Sequence, residues 1–403
     1  MHKPLEGIKI LEWGIFHAGP GGPAILSEMG AEVIKIEQPG IGDPIRAVPR
    51  YKNIDFGLEE GLNIFYEGAN RGKKSITLDL GHEKGREIAY RLVEKADVFL
   101  TNLRPVTVKG KKMDYPTLSK INPDLIYASV TSYGKRGPDA DKGGFDYQGQ
   151  GKSGFMYAIG EPDDIPLLAQ FGVIDQTTAI MASYQIIIAL YIRERFGIAQ
   201  EVDVSLLGTA SYMMFLNNIF VLLAGKEIPR HDQATADPQR NYYKCKDGKW
   251  IIQTQPPREE NWQKVCRILG LADLAYDPLY NSRDKRLEKS KELVAIFNDA
   301  FLTRTSKEWV KLFVEKNLVI SEINTTLGAI KDPQMAANDY IVDFDHPVIG
   351  KIKLPGFPLK FSRAEINNNF IAPKLGEHTD SVLKEIAGYS DEEIAGFRKG
   401  KII

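Results

Sequence analysis

The sequence predicts an α/β protein built on an open, largely parallel sheet and divided into two domains. Three observations carry this. Strand-like and helix-like segments alternate through the first half, which is the pattern of parallel crossover units. Polar connectors at 226–241 and 324–339 set off a stretch of different composition. At 403 residues the chain exceeds one ordinary core.

Residues 8–12 read as the first strand. A glycine and proline loop follows at 14–23, with Pro23 pre-setting the first residue of a short helix over 24–29. A second strand covers 31–36. Further strands are expected at 75–80, 97–101 and 125–130, with a helix over 83–95 between the first two. An apolar run opening near Asp175 predicts a helix through Ala182, Ile186 and Leu190, which a basic end and Gly197 close before another strand. The apolar stretch 213–224 is broken by Asn217 and Asn218, is too short to span a bilayer, and reads as a buried helix. Beyond the first connector, 250–254 is strand-like and helices are expected at 262–269, 288–301 and 308–316. The last of these follows Thr305 and Glu308 at capping-box spacing. Residues 350–355 precede a final helix capped by Ser390.

Hydrophobic residues make up 43% of the chain and charged residues 26%, the balance of a globular protein. A formal net charge of -1 supplies no basic field for nucleic acid, so any anionic ligand must be held by local groups. Two cysteines, Cys245 and Cys266, support neither a disulfide framework nor a cysteine metal site and suit a reducing cytoplasm. The N-terminus lacks a secretory signal pattern, and no partner membrane is expected.

Several motif readings compete. Gly19, Gly21 and Ala24 formally satisfy a dinucleotide fingerprint, with Glu37 at about the distance of a ribose-binding acid. Pro20 and Pro23 argue against it, because that motif works through backbone N–H groups that proline lacks. Gly151-Lys152-Ser153 ends like a phosphate loop, but Asp146 occupies the position of its first glycine. No histidine lies beside a G-x-S-x-G elbow. His82, His346 and His378 read as surface or loop residues, and no metal site is expected. Asp175, ahead of an apolar helix, is by default an N-cap whose oxygen accepts a backbone N–H.

Taken in order, the motifs resemble those of the class III coenzyme A transferases, the family of formyl-CoA and carnitine CoA-transferases, from Pro4 to the C-terminus. The resemblance rests on the opening 4–12 and His17-Ala18-Gly19-Pro20, on 30–37, on 70–80 beginning Asn70-Arg71-Gly72, and on Ala96-Asp97-Val98-Phe99. It continues through Asn102-Leu103-Arg104-Pro105, Gly143-Gly144-Phe145-Asp146, the segment around Asp175, and 372–379. The likeness implies a Rossmann-like large domain formed by 1–224 and 330–403, with a small α+β domain inserted at 225–329. It also implies an interlocked homodimer, or a heteromer with a paralogous subunit.

By the same resemblance Asp175 is the nucleophile and coenzyme A is a substrate moiety, with no permanently bound cofactor. His17 and Ala18 would line the thioester and pantetheine. Gln38, Leu78, Asp79, Leu80 and Gly81 would flank the adenosine, and Asn102, Leu103, Arg104, Gly143, Gly144 and Phe145 would complete the channel. Gly110 stands where relatives usually carry an arginine, leaving Lys109, Lys111 and Lys112 to meet a phosphate. Gln38 replaces an arginine of some relatives, Ala179 and Ala199 replace common glycines, and no glycine-rich lid occurs at 234–237. An Asp at a helix start would have its charge stabilised by local amides while apolar neighbours keep it poorly solvated, which suits attack on a thioester. The implied activity moves coenzyme A from an acyl-CoA to a free organic acid, the acyl group being bulkier than formyl or oxalyl. Two alternatives stand beside it, an acyl-CoA racemase of the same fold and a catalytically silent CoA-binding subunit. Phe145 occupies the racemases' histidine position and cannot exchange a proton near neutrality.

Overall fold

Strands β1 (Lys9–Trp13) and β2 (Glu32–Glu37) pair in parallel, as the alternation predicts. A small antiparallel pair, β3 (Arg50–Tyr51) and β4 (Ile54–Asp55), follows before β5 (Lys74–Thr77), β6 (Val98–Thr101), β7 (Ile126–Thr131) and β8 (Glu201–Ser205). The main sheet runs β5-β2-β1-β6-β7-β8, and every neighbouring pair in it is parallel. This is a computed structural model, and it describes residues 2–366 and 370–403. The chain divides into two units. One comprises the residues through Met156, Leu168–Lys226 and Asp339–Ile403; the other comprises Tyr157–Leu167 and Glu227–Asn338.

The helices along this part of the chain are α1 (Gly21–Glu28), α2 (Ile64–Asn70), α3 (Glu83–Val93), α4 (Pro105–Gly110), α5 (Tyr115–Ile121), α6 (Asp146–Lys152), α7 (Phe155–Ala158), α8 (Val173–Phe196), α9 (Leu206–Met213) and α10 (Phe215–Ala224). Because both faces of a parallel sheet are covered, its strands alternate between two apolar cores. Ile10, Val33, Val98 and Ala128 meet Leu26 of α1 and Ile174, Ala182 and Ile186 of α8 on one face. Leu11, Ile34, Ile76 and Phe99 meet Ile88 and Leu92 of α3 on the other, where the C-terminal Val382, Leu383 and Phe397 join them.

In the second unit β9 (Arg240–Lys244), β10 (Trp250–Thr254) and β11 (Ile320–Ile323) form an antiparallel sheet. Its helices are α11 (Glu259–Ile268), α12 (Arg283–Glu288), α13 (Ser290–Phe301), α14 (Ser306–Val314), α15 (Thr326–Ile330) and α16 (Pro333–Ala337). Its core is aromatic, with Tyr243 stacked on Phe301 at 4.5 Å and Trp262 stacked on Phe297 at 5.9 Å. The chain then returns to the first unit through the hairpin β12 (Ile341–His346) and β13 (Gly350–Pro355), α17 (Thr379–Glu385) and α18 (Asp391–Lys399). The capping boxes of Thr305 with Glu308 and of Ser390 with Glu393 both form.

Four local expectations are corrected. Helix α1 starts at Gly21, so Pro23 is its third residue; prolines are tolerated there because first-turn N–H groups have no intrahelical acceptor. The helix expected over 288–301 begins after a break at Lys289, which no glycine or proline announces. His346 is buried on β12. The stretch 213–224 is not a buried helix: α10 has no buried residue, and Leu216, Leu222 and Leu223 are 77%, 81% and 82% exposed. By length and composition α8 could cross a membrane, but Ile174, Thr178, Ala182, Ile186 and Ala189 are buried and several of them pack on the sheet, the placement of a core helix.

Candidate active site

The order of the main sheet places its topological switch between β1 and β6, where chains leave in opposite directions and open a crevice at the strand ends. The loop after β1 lies there. Asn102, just past β6, holds it by accepting from the Ile15 amide at 2.9 Å and donating to the Ile15 carbonyl at 2.8 Å. A Cβ on Gly19 would lie 2.6 Å from Asn102 Cγ, so only glycine permits this approach. Asp43 accepts from the Phe16 amide at 3.0 Å and supports a left-handed Phe16, φ 60°.

Beneath the loop lies a charge network that sequence reading missed. Lys35 donates to Glu12 and to the Gly14 carbonyl, both at 2.8 Å, and lies 3.0 Å from Asp43. Lys73 donates to the other Glu12 oxygen at 2.6 Å, to the Pro20 carbonyl at 2.7 Å and to Asn70 at 3.0 Å. These charges are fully buried. Burial pushes the Lys73 ammonium down to about 7, with Glu12 opposing and Lys35 adding repulsion. The available sequence signal was faint, Glu12 and Lys35 among apolar residues of strands that also carry Lys9, Glu32 and Glu37.

The dinucleotide reading fails on the same geometry. Against the cost of burial, Arg46, Lys35 and Ser75 hold the Glu37 carboxyl down at about 2. Arg46 grips Glu37 through two contacts of 2.8 Å, which leaves it unsuited to a ribose. Gly21 and Gly22 serve helix packing, since Cβ atoms there would approach the Cβ atoms of Ala179 and Ala182 on α8 to 2.7 and 3.0 Å.

Asp175 is the third residue of α8 and is half-buried. It does not cap the helix. The N-cap is Gly172, with φ 66°, and the amides of Ile174 and Asp175 donate to Asp146 at 2.6 and 3.0 Å. The expected support of the Asp175 charge by local amides is therefore corrected, because another carboxylate takes them. Desolvation, then the nearby Asp146, pushes Asp175 up to about 7. Beside it, Gln176 Oε1 and His17 Nε2 are 2.7 Å apart, and burial lowers the His17 pKa so that the ring is neutral.

An aromatic collar surrounds these groups. Phe65 stacks on His17 at 6.2 Å and meets Phe56 at 5.9 Å; Phe56 and Tyr51 both contact Phe171, at 6.4 and 4.7 Å. Phe145 is exposed and meets Phe16 edge-on at 5.5 Å. Met156 lies near Gly151, where a Cβ would be 3.7 Å from its sulfur.

The remaining candidates lie on the loops that follow strands of the main sheet. Ala18 is buried beside His17. Gln38 is exposed at the end of β2, and the Leu78 amide donates to the adjoining Glu37 carbonyl at 2.9 Å. Leu78 and Leu80 are buried, so in that stretch Asp79 and Gly81 present the accessible surface. A Cβ on Gly81 would be 2.9 Å from Lys111 Nζ, which brings the lysine cluster to this turn. Leu103 is half-buried, whereas Arg104 is exposed and its Cδ would lie 3.9 Å from a Gly143 Cβ. Gly144 sits over Tyr133 and Ser132. Among the described residues Arg104, Lys109, Lys111 and Lys112 form no ion pair.

The sequence profile of CoA-transferase family III matches residues 5–379. The chain belongs to that family. The human succinyl-CoA:glutarate CoA-transferase is 31% identical over 97% of this chain and 88% of its own length. The cinnamoyl-CoA:phenyllactate CoA-transferase of Clostridium sporogenes is 32% identical over 99% of this chain and 97% of its own. A crystal structure of a CaiB/BaiF family protein from Brucella suis superposes with a TM-score of 0.84 at 29% identity, covering 96% of this chain and all of that one. As a family III CoA-transferase, the protein is an acyl-CoA:carboxylate CoA-transferase, and the resemblance read from the sequence motifs holds over nearly the whole chain.

Proposed function

We propose that Asp175 is the covalent nucleophile of CoA transfer and that the acids exchanged carry apolar, aromatic or branched chains. The observation that carries the first part is a half-buried carboxyl on the first turn of α8, without a hydrogen bond from its side chain to a described residue, beside the loop at the topological switch. Its oxygen attacks the acyl-CoA carbonyl carbon; the C–S bond breaks and CoA leaves as a thiolate, giving an acyl-aspartyl anhydride. The thiolate attacks the Asp175 carbonyl carbon and expels the first acid as its carboxylate. The acceptor carboxylate then displaces the thiolate from the aspartyl-CoA thioester. Attack of that thiolate on the acceptor's carbonyl releases the new acyl-CoA and regenerates Asp175. Each addition creates an oxyanion, for which the His17 and Ala18 N–H groups, with no acceptor among the described residues, are the assigned donors.

The candidate residues on these loops would hold coenzyme A, with Gln38, Asp79, Gly81, Arg104 and the lysine cluster toward its polar end. The collar of Phe16, Phe65, Phe145 and Phe171 favours an apolar acid. The two curated relatives named above act on glutarate and on phenyllactate at nearly equal identity, so the collar and not identity supports the choice. The exposed apolar surface of α9 and α10 supports self-association. Cys245 and Cys266, both buried free thiols, suit a reducing cytoplasm. Incubation with an acyl-CoA followed by hydroxylamine should label Asp175 alone, and Asp175→Ala should abolish transfer. An unlabelled Asp175, or an active alanine variant, refutes the assignment; a preference for glutarate over phenyllactate refutes the apolar pocket.

A further inference from the structure

We infer that Asp146, on α6, is a positioning residue that takes the amides of the α8 terminus away from Asp175 and sets a second carboxylate against it. The inference rests on the reading of Asp175 as nucleophile and extends it to a residue outside the reacting atoms.

A helix N-terminus offers unpaired N–H groups and a partial positive charge, and both stabilise an adjacent carboxylate. In α8 that resource is already taken. Asp146 Oδ2 accepts from the amides of Ile174 and Asp175. Asp146 Oδ1 accepts from Gln150 Nε2. Gln150 is fixed in turn, because its Nε2 donates to the Ala169 carbonyl at 2.8 Å and its Oε1 accepts from the Ala169 amide at 3.0 Å. Asp146 and Gln150 are both buried. This acceptor-only set of three donors is that of a carboxylate, since a protonated oxygen here would lack an acceptor.

Two consequences follow for Asp175. Its carboxyl must extend from a turn whose left-handed entry, Phe171 at φ 61° and Gly172 at φ 66°, is held by the donors to Asp146. It also faces a like charge in a poorly solvated place. The other titratable or charged groups about this end are His17 on the β1–α1 loop, Tyr147 on α6 and Tyr51 on β3, with Arg71 and Lys73 acting on His17. None is a cation paired with Asp175. A more basic carboxylate is a stronger nucleophile toward a thioester, provided it can ionise near neutral pH.

The test follows the Asp175 carboxyl carbon by ¹³C NMR in the full-length protein labelled at aspartate, with the resonance assigned by its loss in Asp175→Asn. Alongside it, kcat/KM is measured against pH. The wild-type midpoint should lie near neutrality. Asp146→Asn, which keeps one acceptor oxygen but removes the charge, should lower the midpoint by about one pH unit or more, as expected for a close like-charge pair. The acid limb of kcat/KM should move with it. Asp146→Glu keeps the charge and should leave the midpoint within a few tenths of a unit of wild type while lowering kcat. A wild-type midpoint in the ordinary carboxylate range overturns the inference even if no variant folds. An unmoved midpoint in Asp146→Asn overturns it as well. The NMR midpoint needs no turnover, so an active Asp175→Ala enzyme would sink the nucleophile reading without deciding this one.

Discussion

Replacing Asp175 by asparagine should stabilise the folded protein, and increasingly so as pH rises. The side chain titrates near 3.8 in an unfolded chain and at about 7 in the fold, raised by desolvation and then by Asp146. Between those values the native state holds a proton that the unfolded state has released, so wild-type stability falls with rising pH over that window. At about 1.4 kcal/mol per pKa unit, a shift of roughly three units costs about 4 kcal/mol above pH 7. Because the carboxyl is half-buried and water reaches part of it, a realised difference of about 1–3 kcal/mol is expected. Asparagine does not titrate, so the variant lacks this loss. Comparing the two proteins at each pH cancels every other group that titrates alike in both. Urea unfolding followed by hydrogen exchange of α8 peptides, at intervals from pH 4 to pH 8.5, isolates the unit that contains Asp175. The stability difference should already be growing at pH 4, continue to grow up to about pH 7, and level off above. A difference that stays flat across the range would refute the desolvated-carboxyl argument.

Three further outcomes follow from the geometry. Lys109→Ala and Lys111→Ala should each weaken binding of coenzyme A by about 1.5–3 kcal/mol if each lysine supplies a charged phosphate contact, measured by calorimetry; unchanged affinity in both returns the cluster to solvent. Glu12→Gln should destabilise the first unit by about 3–5 kcal/mol, because two buried lysines then share less countercharge; thermal unfolding reads it. Gly19→Ala should cost about 1–3 kcal/mol and weaken coenzyme A binding as well, since its Cβ would displace Asn102 and with it the loop after β1.

The sheet was legible because its evidence is local. Most strands carry a short apolar run or alternation, each crossover a helix with its own start and stop, and the sum of such units admits few arrangements. Where reading failed, the decisive interaction was not local. The exposure of α10 depends on what covers it, since periodicity reports an apolar face and not its partner. The Glu12, Lys35 and Lys73 network joins positions up to 61 residues apart. Each of those charges, taken alone, is merely a misplaced residue in a strand or beside one.

Asp175 illustrates the same division most sharply. Its place at the head of an apolar helix could be read from the segment around it, and so could the default that an aspartate there caps the helix. The cap comes instead from Asp146, 29 residues earlier, and a left-handed glycine. Local pattern therefore places the residue but gives it the wrong electrostatics: an aspartate that caps its own helix would be held ionised and weakly basic. One deprived of those amides by a second carboxylate is held near its midpoint at neutral pH. The difference between a capping aspartate and the proposed nucleophile lies here in which oxygen the Ile174 and Asp175 amides reach.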